Sequence, residues 1–226
     1  MHFADELANV LPADLPQREV VIGVCARHLD LIAAINEQLN LTRITSPRQA
    51  AVKHVLDCVL PWRRFEQARV VVDAGSGAGF PGIPLSVVLP DTRFMLAESV
   101  QKKARFLEGA VAELGLSNVT VIPKRAEEVM GALRVDMVTA RAVAPLHRAV
   151  SLFAPAVKAG TRGLFYKGPD AEMEIEAAAA EMKKFKIHLQ VVERYILPDA
   201  AGARTLVEMS RYGRLEGRNA DGHRPD

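Results

Sequence analysis

The chain is poor in residues that would give it a covalent framework or an aromatic binding platform. Only two of its 226 residues are cysteine. Cys25 and Cys58 stand far apart with no CxxC spacing, which excludes a disulfide scaffold and a zinc site. Aromatics make up 5%, too few for the base-stacking surface of a general single-strand binder. Neither sign of charge dominates: 29 Lys and Arg face 27 Asp and Glu, a net charge of +2. Any nucleic-acid contact must then come from a local patch, not a global field. No apolar run approaches the ~18 residues that span a bilayer. Met1 to Glu6 lacks the basic region and apolar run of a signal peptide. These absences lead us to expect a cytoplasmic chain with reduced thiols and no membrane partner.

Apolar residues reach 49% and charged residues 25%, enough for a sizeable core and too apolar for disorder. We expect three segments. Residues 1–65 read as a helical cap, 66–212 as an α/β domain, and 213–226 as a polar tail that frays. In the cap, Val20, Val21, Val24, His28, Leu31, Ile32, Ile35 and Leu39 recur at helical steps. Asn40 to Thr45 breaks that stripe. Ser46-Pro47-Arg48-Gln49 then starts a second helix, with Ser46 as N-cap and Pro47 in the first turn. It carries Lys53, His54 and Asp57 and stops at Pro61; His54 reads as a packing residue paired with Asp57 three positions on. Trp62 and Phe65 are expected to fill the seam between cap and sheet.

From Arg69 onward strands and helices alternate. Strands are expected at Val70–Val72, Arg93–Glu98, Val119–Ile122, Val135–Ala140 and Gly163–Lys167, with helices between them. Ser99 is expected to cap the helix that Gly115 ends, and one acidic helix should run from Ala171 to Phe185. Two last strands, about His188–Leu197 and Arg204–Ser210, are joined by too short a connection for a parallel crossover, so they must pair antiparallel. The fold class is therefore α/β: a Rossmann-like, mostly parallel sheet with a closing antiparallel strand, in the manner of class I methyltransferases, and an N-terminal helical cap.

The chemistry concentrates in Val70-Val71-Val72-Asp73-Ala74-Gly75-Ser76-Gly77-Ala78-Gly79-Phe80-Pro81-Gly82. Glycines after a buried strand permit a tight turn and let a ligand approach the backbone. Gly77 to Gly82 formally satisfies GxGxxG, and Glu98 lies where a ribose-binding acid would, so an NAD loop is a live rival. Three features favour S-adenosylmethionine. Asp73 precedes the glycines, where a carboxylate repels a diphosphate but welcomes a sulfonium or ammonium. Pro81 and Pro84 remove backbone donors from the first helical turn. The pattern Asp-x-Gly-x-Gly-x-Gly also uses Gly75. Gly75, Gly77, Gly79 and Phe80 are thus candidates for the cofactor's methionine part.

Several motifs together carry a family likeness. They are Asn40-Leu41-Thr42, Lys53-His54-Val55-Leu56-Asp57, and Asp73 through Leu85 with its Gly-Phe-Pro-Gly-Ile-Pro ending. Glu98-Ser99 with Lys102-Lys103, Arg125-Ala126-Glu127-Glu128, Thr139-Ala140-Arg141-Ala142 and Lys167-Gly168 continue it. On these, from about Leu29 to Gly168, the chain resembles the ribosomal RNA small-subunit methyltransferase G family, also called glucose-inhibited division protein B. It departs at Ile35, where many relatives carry tryptophan, and at Glu98, where aspartate is common. The resemblance implies methyl transfer from S-adenosylmethionine to N7 of one guanine in the decoding-region loop of 16S rRNA. Guanine N7 has a free lone pair, so no acid or base is needed, and orientation should carry the rate. The chain accordingly lacks the Asp/Asn-Pro-Pro-aromatic motif of amino-group methyltransferases, and neither cysteine sits in a Pro-Cys setting.

By the same likeness Glu98 would hold the ribose hydroxyls, Ala126 and Glu127 the adenine, and Arg141 would stand beside the methyl. Glu127 can equally be a first-turn acid favoured by a helix dipole, and Arg141 an ion-paired residue. Lys102, Lys103, Arg125, Lys167 and Lys53 are the candidate contacts to 16S rRNA in the small ribosomal subunit. A monomer is expected, with no metal.

Overall fold

The computed structural model describes residues 3–141 and 144–212. The polar tail from 213 lies outside the described residues.

The chain opens with helices α1 (Phe3–Val10) and α2 (Arg18–Leu39). The apolar stripe of α2 buries Val21, Ile22, Cys25, Leu29 and Ile32 against Leu7, Val52, Val55 and Val59. Burying each such side chain contributes roughly 1.5–3 kcal/mol. Asn40 ends α2 in the left-handed region (φ 50°), its N–H returning to the Asn36 carbonyl, as short polar side chains tolerate. The second cap helix starts as its sequence dictates: Ser46 Oγ accepts from the Gln49 N–H at 3.3 Å, with Pro47 in the first turn. It is not one regular α-helix, however. Helix α3 (Pro47–Ala50) passes into a π-helical segment, Ala51–Leu56, before α4 (Asp57–Val59).

Seven strands form one sheet: β1 (Val70–Ala74), β2 (Arg93–Ala97), β3 (Val119–Ile122), β4 (Met137–Arg141), β5 (Arg162–Lys167), β6 (Ile187–Leu197) and β7 (Gly202–Arg211). Their order is β3-β2-β1-β4-β5-β7-β6. The first five are parallel; β7 pairs antiparallel with both β5 and β6. The expected closing hairpin is therefore present. Alternation along β1 sends Val71 to one face and Val72 to the other. Val72 packs with Val138, Phe153 and Phe165, and Val71 with Ile83, Phe94, Leu96 and Phe65. Trp62 touches both this second cluster and the cap.

Helices α5 (Gly82–Val88), α6 (Gln101–Leu114), α7 (Ala126–Ala132) and α8 (Leu146–Lys158) cover the sheet. Gly115 ends α6 at φ 68°, as expected. Ser99 does not cap it. The Glu98 carboxylate takes the Val100 N–H instead, at 2.8 Å, and the helix begins at Gln101. The acidic helix is two, α9 (Ala171–Ala177) and α10 (Ala179–Phe185), broken at the buried Ala178.

Chain order fixes where a ligand can enter. From β1 the chain runs outward through β2 and β3, then returns to β4 on the other side of β1. Parallel sheets bind ligands beyond the carboxyl ends of the strands at such a reversal. The glycine loop follows β1 and Arg141 ends β4, so the two flank that crevice.

Candidate functional site at the strand switch point

The loop after β1 is shaped by positive φ at Gly75 (66°), Gly77 (59°) and Gly79 (99°), which side chains with a Cβ rarely adopt. Gly77 and Gly79 differ in what surrounds them. A Cβ on Gly79 would come within 2.6 Å of Ile83 and 3.2 Å of His28, whereas on Gly77 it would meet nothing nearer than the Gly75 carbonyl at 3.8 Å. Gly79 is thus glycine for packing, and Gly77 leaves an open approach to the backbone.

Most of the loop's N–H groups are already bonded inward. Gly75 and Ser76 donate to the Ala97 carbonyl, Gly79 and Phe80 to the Ser76 carbonyl. Gly77 donates to Glu98 at 3.0 Å, and Gly82 to Asp73 at 2.9 Å. Pro81 has no N–H to offer. A diphosphate, which needs free N–H groups at a helix start, finds those six engaged. This counts against the dinucleotide rival.

Asp73 is fully buried beneath the loop, and one carboxylate oxygen, Oδ1, has no hydrogen-bond partner. Burial pushes its carboxyl up from the usual 3.8 to about 7, against the lowering effect of the Gly82 N–H. Glu98, at the end of β2, spends its oxygens on the N–H groups of Gly77 and Val100. It therefore braces the glycine loop from the neighbouring strand.

Phe80 does not turn toward the mouth of the crevice. Its ring is buried in the cap cluster, stacked on His54 (centroids 4.7 Å, 10°), beside His28 (5.0 Å), with the Arg141 guanidinium 5.3 Å from its centroid. Arg141 is the ion-paired residue that the sequence left open. Its Nη1 donates to the Lys53 carbonyl at 2.7 Å and lies 3.5 Å from Asp57; its Nη2 lies 3.3 Å from His54 Nδ1. His54 is a packing residue as expected, but its polar partners are Arg141 and Thr42 (2.8 Å). Asp57 is occupied by Arg141, Arg204 (3.2 Å) and the Tyr195 hydroxyl (3.0 Å).

The candidate RNA contacts divide. Lys167 donates to Glu174 and to the Ala144 carbonyl, both at 2.7 Å, with its side chain 11% exposed. Its ammonium is thereby committed to an internal ion pair, which corrects the expectation of a free phosphate ligand. Lys53 lends its carbonyl to Arg141. Lys102 and Arg125 stand exposed and Lys103 half-buried, on the first turn of α6 and before α7. Ala126 is buried and Glu127 half-exposed in the first turn of α7, where an acid also suits the helix dipole. His28, whose Nε2 meets the Ala78 carbonyl at 2.8 Å, and the Asn36–Thr42 pair escaped the sequence reading. Its place in the apolar stripe of α2 was the only sequence signal for His28. Among the described residues no cluster of three or more His, Cys, Asp or Glu could hold a metal, and no helix is long and apolar enough to cross a membrane.

Known proteins share this fold. The O-methyltransferase TomG from Streptomyces achromogenes, solved in complex with SAM, superposes with TM-score 0.54 at 18% identity, over 82% of this chain and 90% of that one. Cofactor-bound Rv0187 from MTB gives TM-score 0.57 at 17% identity, over 83% and 89%. At such identities the likeness establishes the class I methyltransferase fold. In sequence, the ribosomal RNA small subunit methyltransferase G of Solibacter usitatus is 64% identical over 209 residues, 92% of this chain and 100% of that protein. Its namesake from Carboxydothermus hydrogenoformans is 38% identical over 193 residues, 82% of this chain and 81% of that protein. The family model described as rRNA small subunit methyltransferase G (GidB) matches residues 24–199. The chain belongs to the rRNA small subunit methyltransferase G (GidB) family.

Proposed function

We propose that this protein methylates N7 of a guanine in the decoding-region loop of 16S rRNA, with S-adenosylmethionine as methyl donor, and works on the small ribosomal subunit in the cytoplasm. Support comes from family membership together with a glycine loop whose N–H groups turn inward and whose outer face is open at Gly77. That loop suits a cationic donor better than a diphosphate.

The residues present fit the cofactor. Gly75 and Gly77 give the methionine part access to the backbone. Asp73, buried beneath the loop, holds the turn through the Gly82 N–H. Glu98, already anchoring Gly77, stands where the ribose would lie, and Ala126 and Glu127 where the adenine edge would be read. When bound, S-adenosylmethionine supplies an electrophilic methyl on sulfur. Guanine N7 carries a free lone pair, so the protein would need to remove no proton. Its task is to orient the base and exclude water. Methylation at N7 makes the base cationic, and the Asp57 carboxylate beside Arg141 offsets part of the positive charge on that side. Lys102, Lys103 and Arg125, on the β2–β3 side of the crevice, supply phosphate contacts.

The test is transfer of labelled methyl to small subunits lacking the modification, with the product nucleoside identified by mass spectrometry. N7-methylguanosine in 16S rRNA is the expected product. Label confined to another position or to small molecules would overturn the reading, as would tight NAD binding without response to S-adenosylmethionine.

A further inference from the structure

His54 and Phe80, buried where the cap meets the crevice, are unassigned by the function above. The geometry points to His54 as a positioning residue: through one fixed tautomer it aligns the Arg141 guanidinium and the Phe80 ring, and so the loop that presents the methyl donor. This rests on the reading of the crevice as the methyl-transfer site.

Winding Ala51–Leu56 as a π-helix turns the Lys53 carbonyl outward, where it accepts from Arg141 at 2.7 Å. Single π turns of this kind recur at functional sites. The next residue, His54, is 7% exposed and makes three oriented contacts. Its ring stacks on Phe80, Nε2 lies 2.8 Å from Thr42 Oγ1, and Nδ1 lies 3.3 Å from Arg141 Nη2. Guanidinium only donates, so Nδ1 must accept and carry no proton. The single imidazole proton then sits on Nε2 and donates to Thr42 Oγ1.

Thr42 is itself immobilised. Its N–H and carbonyl both pair with the Asn36 side chain at 2.9 Å, and its hydroxyl accepts from the Ile44 N–H at 3.0 Å. Orientation thus passes from the end of α2 through Thr42 to His54, and from His54 to the last residue of β4 and the residue after Gly79. Neutrality matters as well. A charged imidazole would face the Arg141 guanidinium, and burial, Arg141 and His28 together hold its pKa down at about 3.

Three variants and one spectrum test this. His54→Phe keeps a flat ring on Phe80 and removes both polar contacts; His54→Asn restores an acceptor for Arg141 at the Nδ1 position. For His54→Phe, kcat on small subunits should fall ~10-fold or more while S-adenosylmethionine affinity stays within about 3-fold. His54→Asn should recover part of that kcat although it packs less well. Equal losses in kcat, cofactor affinity and melting temperature, with no recovery by His54→Asn, would make the role one of packing and overturn the proposal. In 15N NMR of histidine-labelled protein, the His54 signals, assigned through these variants, should show a bare Nδ1 and a proton-bearing Nε2. Arg141→Leu should release that preference. A mixed tautomer in the unmodified protein would overturn the proposal even if methyl transfer were intact. Correct tautomers in a protein that fails to methylate subunits would instead overturn the substrate.

Discussion

The two sides of the crevice carry cations in opposite conditions. On the β2–β3 side, Lys102 and Arg125 are exposed, and among the described residues no partner holds their side chains. On the β4–β5 side, Arg141 is bound to Lys53, His54 and Asp57, and Lys167 to Glu174 and Ala144. A cation in water can release counterions when it meets a phosphate; a cation already paired in a half-buried setting gives up that pair first. Under the function proposed above, the first side catches RNA. The second holds the shape of the pocket. Residue type alone does not separate these roles.

Breaking the second side should have the largest effect. Asp57→Ala leaves Arg141 and Arg204 without their shared carboxylate, which is only 2% exposed. Removing one partner of a buried pair costs about 3–5 kcal/mol, and chemical denaturation should show that loss. A smaller change than ~1 kcal/mol would mean that the pair is solvated. Next comes the floor between the sides. Gly77→Val forces a β-branched residue to φ 59° with its side chain in the open approach. Cofactor affinity by calorimetry should drop ~100-fold or more, about 2.7 kcal/mol; retained affinity would refute the cofactor's placement.

On the first side, Lys102→Glu with Lys103→Glu should raise KM for subunits roughly 10-fold and flatten its salt dependence. Cofactor affinity and melting temperature should not move; their joint loss would make the pair structural and erase the contrast between sides. The buried carboxyl beneath the loop is read by a pH slope. Folding holds the Asp73 proton until pH about 7, while the unfolded chain releases it near the usual 3.8. Stability from this group is therefore greatest below 3.8 and is lost as pH rises toward 7. Asp73→Asn should flatten that decline in denaturation midpoints measured across the window. Identical slopes in the two proteins would show that Asp73 ionises normally.

The sequence made the sheet legible because its signals are local. β-branched runs marked β1 and β3, Ser46 and Gly115 marked helix ends, and a short connection required β6 and β7 to be antiparallel. The glycine loop was legible for the same reason. What escaped depends on partners far apart in the chain. Ion pairing of Arg141 was left open, yet nothing in Thr-Ala-Arg-Ala indicates that this guanidinium reaches residues 84 and 88 positions earlier. The π winding of Ala51–Leu56 has no signature in a stretch that reads as ordinary helix. Lys167 looked available because Glu174, seven residues on, meets it only after β5 gives way to α9. Glu98 looked like a ribose ligand, and its distance from Gly77 in sequence concealed that it also braces the loop.

The contact between Asp57 and Arg204 has a consequence for synthesis. The two residues are 147 positions apart, and Tyr195, which also meets Asp57, is 138 away. A ribosome delivers the cap first and the β6–β7 hairpin last. Until that hairpin emerges, the Asp57 carboxylate lacks Arg204 and Tyr195 and has only Arg141 to pair with. Full pairing of Asp57 is thus tied to arrival of the final strand, and a chain ending before β7 holds Arg141 through a carboxylate that lacks Arg204.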